Sequence, residues 1–412
     1  MLKTPKLAFI IWPSLDTENG RAWRYSLKLF LWQRLALTLA GLVAALFFKP
    51  DNTPHIFLLP AQVFAPTSGW QYFFTSPWQR WDTEEYLAIA SGGYGLHPAL
   101  SNFPPLYPVL VGLVGRVLLN HFLLAALLVS NLAFVGALYF LYRLTAHTWD
   151  DKAARYSCLA LVCFPTAHFF LLGYSESLFL LLVTATFYYI AKNQWWCGCF
   201  LAVLAVLTRL QGIVLVLPLA YFYWQQHRSK SAEKTRFWTI PFDLKILGLL
   251  FGPLALVLFE LYIHFTVPTA DELGGLSRFW NIKITWPGDT LLTALWKMVQ
   301  PDTLYISLYN FWGLFLLALI SLTLWRGRHS LLVSYQLYAW ASILLYLTRK
   351  GEIITTVSLE RYLVLIFPAF MYVGLLLSRK QGFYRRRLLL LSVGFLLQWS
   401  MAFGFPFWFW TG

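Results

Sequence analysis

Eleven apolar stretches constrain this chain more than any other feature. They lie at about 28–48, 121–143, 153–172, 175–191, 195–208, 210–224, 245–266, 304–325, 330–348, 357–378 and 388–409. About 20 apolar residues carry a helix across the hydrocarbon of a bilayer. Lipid offers the backbone no hydrogen-bond partners, so such runs must satisfy themselves as helices. Only 12% of the 412 residues are charged, about half of what a soluble domain uses to cover its surface. The predicted fold class is therefore an all-α membrane protein, one polytopic bundle of about 11 transmembrane helices spanning 1–412. Within it, 195–208 and 210–224 are short for full crossings, and 106–119 has the length of a segment that dips in and returns.

The charges orient the bundle. The net charge of +14 raises nucleic acid as a partner, but its distribution follows lipid topology. Alternating the spans from a cytoplasmic N-terminus puts 21 of the 32 Lys and Arg on the inner side, the pattern of the positive-inside rule. No nucleic-acid partner is expected. Two large loops, 49–103 and 267–303, then fall outside. The polar, basic leader of about 28 residues carries no cleavage pattern, so the first span reads as a retained anchor. Cys158, Cys163, Cys197 and Cys199 all sit in apolar runs, which argues against a disulfide framework. Arg34, Arg116 and Glu260 fall inside apolar stretches.

The first outer loop has an unusual composition. It runs through Trp81-Asp82-Thr83-Glu84-Glu85-Tyr86, then Gly93-Tyr94, then Phe103-Pro104-Pro105-Leu106-Tyr107-Pro108. Residues 80–92 lack proline and predict a short helix lying in the interface. Helical spacing puts Asp82, Tyr86, Ile89 and Ala90 on one face and sends Glu84 elsewhere, toward solvent. An acid on an apolar stripe usually has a task. Trp70, Tyr72, Phe73, Phe74, Trp78 and Trp81 form an aromatic belt at headgroup level, and the prolines hold an extended elbow before the next apolar run.

Other polar groups reach the same side. Glu176 lies in Gly173-Tyr174-Ser175-Glu176-Ser177, Arg209 in Thr208-Arg209-Leu210-Gln211-Gly212, and Arg361-Tyr362 open a late span. A carboxylate with two arginines at one membrane face suits attack by a hydroxyl on an anionic, lipid-linked donor. The carboxylate takes the proton, and the guanidinium forks hold the phosphate as its bond breaks. Duller roles stand beside these. Asp82 suits a helix cap, as does Glu176; Arg209 and Arg361 suit snorkelling anchors; His97 suits a loop. Asp82, Glu84, Glu85 and His97 make a weaker candidate for a cation site, because helical directions separate Asp82 from Glu84. Asp271, Glu272 and Asp289 in the second loop have no evident partner.

These motifs, in this order, resemble the PIG-V-like mannosyltransferases of the GT-C superfamily. The resemblance is carried by Arg80-Trp81-Asp82 with Tyr86, Gly93-Tyr94 and Phe103-Pro104-Pro105-Leu106-Tyr107. It continues through Phe164-Pro165, Tyr174-Ser175-Glu176-Ser177, Thr208-Arg209 with Gly212, and Arg361-Tyr362-Leu363 with Phe367-Pro368. It spans about residues 75–370. It implies a GT-C-type bundle and inverting transfer of mannose from polyprenyl-phosphate-mannose, with Asp82 as catalytic base and no cofactor or metal. The acceptor would be a glycan, glycolipid or protein.

The candidate substrate-binding residues are Trp81, Glu85, Tyr94, His97, Tyr107, Glu176, Arg209, Arg361 and Tyr362. The chain departs from the family pattern at Phe103-Pro104-Pro105, where the family often has aromatic-Phe-Pro. Its compact outer loops fit prokaryotic, plasma-membrane relatives whose acceptors are not GPI. A transporter or flippase of lipid-linked sugars is the rival reading; it calls for repeat symmetry and polar groups deep in the spans, and no repeat is visible.

Overall fold

The computed structural model describes residues 17–48, 65, 68–230, 243–267, 281–300, 304–379 and 384–409. The first 16 residues of the leader, residues 49–64 of the first outer loop, most of the basic linker before Lys245, and the Asp271, Glu272 and Gly274-Gly275 part of the second loop lie outside them. The architecture is helical, apart from one two-stranded ladder.

Every stretch read as a span is helical at least in part. The helices are α1 (Glu18–Phe47), α2 (Gly69–Phe74), α3 (Asp82–Gly92), α4 (Leu106–Val117), α5 (Phe122–Thr148), α6 (Asp151–Val162), α7 (Glu176–Ala191) and α8 (Trp195–Thr208). They continue with α9 (Val216–Lys230), α10 (Leu247–Thr266), α11 (Pro287–Val299), α12 (Leu304–Arg326), α13 (Val333–Leu347), α14 (Leu359–Leu363), α15 (Phe367–Arg379) and α16 (Tyr384–Gly404). Among the described residues, five helical stretches are long and apolar enough to cross a membrane: 18–47, 122–148, 244–266, 304–326 and 389–407.

The remaining spans are broken rather than continuous, and proline explains two of the breaks. Pro165 ends α6, and the chain resumes as a 3-10 turn at Ala167–Leu171. This frees carbonyls where lipid could not satisfy them. Two buried amides answer them. Gln33 of α1 donates to the carbonyls of Val162 and Ala167, and Gln398 of α16 to those of Val162 and Phe164. Gln33 also donates to Gln398 Oε1 at 3.2 Å, so the two outlying helices are pinned to the same break. Likewise Pro368, the second residue of α15, has no amide N–H with which to continue the ladder of α14.

Close packing holds the core. α15 lies on α6, and α7 on α5 and α8. At Gly374 the two backbones touch so closely that a Cβ would sit 2.0 Å from Ser157 Oγ and 2.6 Å from the Ala153 carbonyl, the small-residue approach that membrane helices use in place of a hydrophobic drive. Near the α1 end, Arg21 pairs with Asp151 at 3.0 Å and Arg143 with Glu18 at 3.3 Å, which gathers segments read as sharing the inner side. The four cysteines are free thiols. Of the three ionisable groups placed in apolar stretches, Arg116 is exposed rather than buried, because α4 presents its last turn outward; Arg34 and Glu260 are half-buried.

The ladder was not foreseen. β1 (Ile282–Ile284) pairs antiparallel with β2 (Arg349–Gly351), Ile284 opposite Arg349. Asp289, without an evident partner in the sequence, bonds Lys350 at 2.9 Å and Thr285 at 2.9 Å. A second pair, Lys283 with Glu352 at 2.8 Å, flanks the ladder. The segment Ile282–Asp289 is thereby fastened beside the start of α14.

Candidate active site

Four helix interruptions carry the charged residues. Asp82 opens α3, Glu176 opens α7, Arg209 follows the last turn of α8 in extended conformation, and Arg361 lies in the one-turn α14. The first residue of a helix adds the positive end of the dipole, which favours a carboxylate.

The four meet. Arg361 Nη2 bonds Asp82 Oδ2 at 2.7 Å, and Arg361 Nε bonds Glu176 Oε1. Arg209 Nη1 reaches the same Glu176 oxygen at 2.7 Å and Ser175 Oγ at 2.9 Å. Ser175 Oγ shares a 2.6 Å hydrogen bond with Tyr86 OH. Arg361 also lies over the Tyr174 ring, 4.5 Å from its centroid. Side-chain exposure separates the members: Glu176 is 0% exposed and Arg361 2%, whereas Asp82 keeps 15%. Glu176 is the inner counterion of both guanidiniums, and Asp82 is the carboxylate that still meets the outside.

The duller roles are not what these residues do. Trp81 occupies the cap position of α3 and Ser175 that of α7, and neither helix has a side-chain cap bond from Asp82 or Glu176. Arg209 and Arg361 are buried, so neither is a snorkelling anchor. Glu84 is a correction. It is buried, as is all of Thr83–Ala90, because α3 is enclosed by protein against α4 and α5 and has no solvated face. Glu85 is buried behind Asp82, with Oε2 lacking a hydrogen-bond partner among the described residues. Burial first, then the charge of Asp82, pushes its carboxyl well above the ordinary carboxylate range. Among the described residues, no three His, Cys, Asp or Glu side chains are grouped to hold a metal ion.

The aromatic candidates form the surrounding wall. Trp81, half-buried, has φ 52 and packs edge-on against Trp408 at 5.5 Å. A non-glycine residue in that region is strained, a state that persists where surrounding packing over-determines it; here Arg80 anchors the turn through the carbonyls of Ser76, Gln79 and Pro406. Tyr107 is fully buried, its hydroxyl shared with Ser130 Oγ at 2.8 Å, and its ring stands edge-on against Tyr86. It supports Tyr86 from behind. Tyr94 donates to the Phe103 carbonyl at 2.6 Å and braces the proline elbow. His97 Nδ1 caps the turn at Pro98–Asn102 by accepting from the Ala99 amide. Tyr362 lies beneath Arg209, 5.1 Å from its centroid, and its hydroxyl accepts from Arg349 Nη1 at 2.9 Å. Neither Arg349 nor Ser175 was a candidate from sequence. Arg349 sits among loop cations that look alike until the ladder places it.

The comparisons follow this geometry. No protein-family model matches the chain. It is 30% identical over 175 residues to "GPI mannosyltransferase 2" of Drosophila pseudoobscura pseudoobscura, covering 37% of each chain. Its fold is similar to that of ArnT from Cupriavidus metallidurans bound to undecaprenyl phosphate. That match has a TM-score of 0.50 and 14% identity, over 92% of this chain and 64% of that one. The sequence is thus similar in part to a GPI mannosyltransferase 2, and the fold to that of ArnT. A third similarity, to the archaeal oligosaccharyltransferase AglB from Archaeoglobus fulgidus, has a TM-score of 0.41 and 12% identity, over 90% of this chain and 56% of that one. The chain thus matches about a third of the length of its curated relative and about two thirds of that of ArnT.

Proposed function

We propose that this integral membrane protein is a glycosyltransferase that moves a mannosyl residue from polyprenyl-phosphate-mannose to an acceptor hydroxyl, with inversion, at the non-cytosolic face. The observation that carries this reading is the Asp82–Arg361 contact of 2.7 Å at the partly open edge of an otherwise buried ion cluster. Arg361 holds the carboxylate in place, while the open edge leaves room for a hydroxyl to approach. The relative's name supplies the sugar, and the fold shared with an undecaprenyl-phosphate-bound protein supplies the class of donor lipid.

Asp82 accepts the acceptor's proton as its oxygen attacks the anomeric carbon. The bond from that carbon to the phosphate oxygen breaks with its electron pair, and the sugar inverts. Phosphate needs no general acid to leave. Arg361 orients Asp82, and Arg209 with Arg361 provides a positive wall toward the phosphate; preorganised charge of this kind acts without reorganisation during the step. Trp81 and Tyr362 border the cluster, while Tyr94 and Tyr107 hold the wall behind it. The acceptor is a glycan, glycolipid or protein. The test is to incubate purified protein in liposomes with labelled polyprenyl-phosphate-mannose and a membrane glycolipid extract. Label in a product, or hydrolysed mannose, supports the transferase. Translocation of intact donor without turnover overturns it in favour of a flippase.

A further inference from the structure

The charges of the ion cluster cancel. Arg209 and Arg361 are answered by Glu176 and Asp82, so by themselves they offer an incoming anion little net attraction. One more guanidinium stands at its edge. Arg349, half-buried as the first residue of β2, donates Nη1 to the neutral Tyr362 hydroxyl at 2.9 Å and forms no ion pair with a carboxylate among the described residues. Its neighbours on the ladder are each matched, Lys350 with Asp289 and Lys283 with Glu352. The Tyr362 ring gathers three guanidiniums, with Arg209 at 5.1 Å, Arg349 at 5.4 Å and Arg361 at 5.9 Å from its centroid. Two carboxylates among three arginines leave one positive charge in surplus, the complement of a phosphodiester. Donors are also in surplus: Arg209 Nε is buried and has no hydrogen-bond partner among the described residues, and Arg349 has used one of its five N–H groups on Tyr362.

We propose that Arg349, with the Tyr362 hydroxyl and the Nε edge of Arg209, forms the subsite that holds the phosphate of the lipid-linked donor. This rests on the donor reading above and assigns the phosphate to a residue carried by the second outer loop's ladder. The pairing of Ile284 with Arg349, reinforced by the Thr285 amide bonding the Thr348 carbonyl at 2.8 Å, sets where the guanidinium stands. Arg349 is a binding residue here: its planar fork meets phosphate oxygens two at a time.

The full-length protein in nanodiscs is titrated with undecaprenyl phosphate and, separately, with undecaprenol. Wild type is expected to prefer the phosphate lipid, and Arg349→Gln to lose about ten- to hundredfold of that affinity, the worth of a hydrogen bond to a charged group. Undecaprenol binding should be unchanged in the variant, and Arg349→Lys should recover part of the loss. If Arg349→Gln binds the phosphate lipid like wild type, Arg349 is not the subsite although the donor reading stands. If the variant loses both lipids equally, Arg349 only braces the ladder and the proposal falls. If wild type does not distinguish the two lipids, the donor reading falls and takes the subsite with it.

Discussion

Replacing Glu176 by Gln should unfold this protein far more readily than replacing Asp82 by Asn. Glu176 is 0% exposed and one of its oxygens receives both Arg209 and Arg361, which are themselves 6% and 2% exposed. Removing one partner of a buried pair strands the other, at a cost of about 3–5 kcal/mol. After Glu176→Gln, Arg361 keeps Asp82 at 2.7 Å, but Arg209 has no carboxylate left, so the loss falls mainly on Arg209. After Asp82→Asn, Arg361 keeps Glu176, and the lost bond is partly solvated; the loss should be about 1–2 kcal/mol. A double-variant cycle separates the terms. Arg209→Gln added to Glu176→Gln removes the stranded charge and should restore at least about 1 kcal/mol, whereas independent sites would add their losses. Thermal and chemical unfolding in one detergent reads wild type, the three single variants and the double variant. A Glu176→Gln protein as stable as wild type, or a double variant weaker than either single one, would refute the view of Glu176 as the buried counterion.

Two further outcomes follow from burial. Glu85 has a folded-state pKa raised by burial and by Asp82, so the folded chain holds its proton where the unfolded chain, with a pKa of about 4.3, has lost it. Stability from this group is full below the unfolded value and is lost as pH rises toward the folded one. Glu85→Gln should flatten that decline, seen as a smaller difference in Tm between pH 5 and pH 8 than wild type shows; an unchanged difference would contradict the assignment. At Gly374, alanine would place its Cβ 2.0 Å from Ser157 Oγ and 2.6 Å from the Ser157 amide nitrogen, backbone that cannot yield. Gly374→Ala should cost about 1–3 kcal/mol by overpacking, against a negligible cost at Gly95, where nothing lies within 4 Å.

The apolar runs announced the helices because lipid leaves the backbone no other choice. They did not announce where helices break, since a break needs partners from elsewhere: Gln33 and Gln398, more than 360 residues apart, make the gap at Pro165 tolerable. Asp82 was legible as an acid on an apolar stripe of the first loop, and Glu176, Arg209 and Arg361 as charged residues at the ends of apolar segments, where a bundle can bring separate helices together. Glu84 misled because a helical wheel assumes a wet face, and α3 has none. The three-residue strands were invisible, being short and joined only by tertiary contact, and with them went Arg349 and the partner of Asp289.

Transfer of labelled mannose from polyprenyl-phosphate-mannose by the Asp82→Asn protein bears most directly on the catalytic base. The asparagine preserves shape but takes no proton, so turnover should fall at least about 100-fold, while the variant still folds, at the modest stability loss given above, and binds the donor much as wild type does. Turnover within about threefold of wild type would contradict the account, and the proton would have to leave by another route.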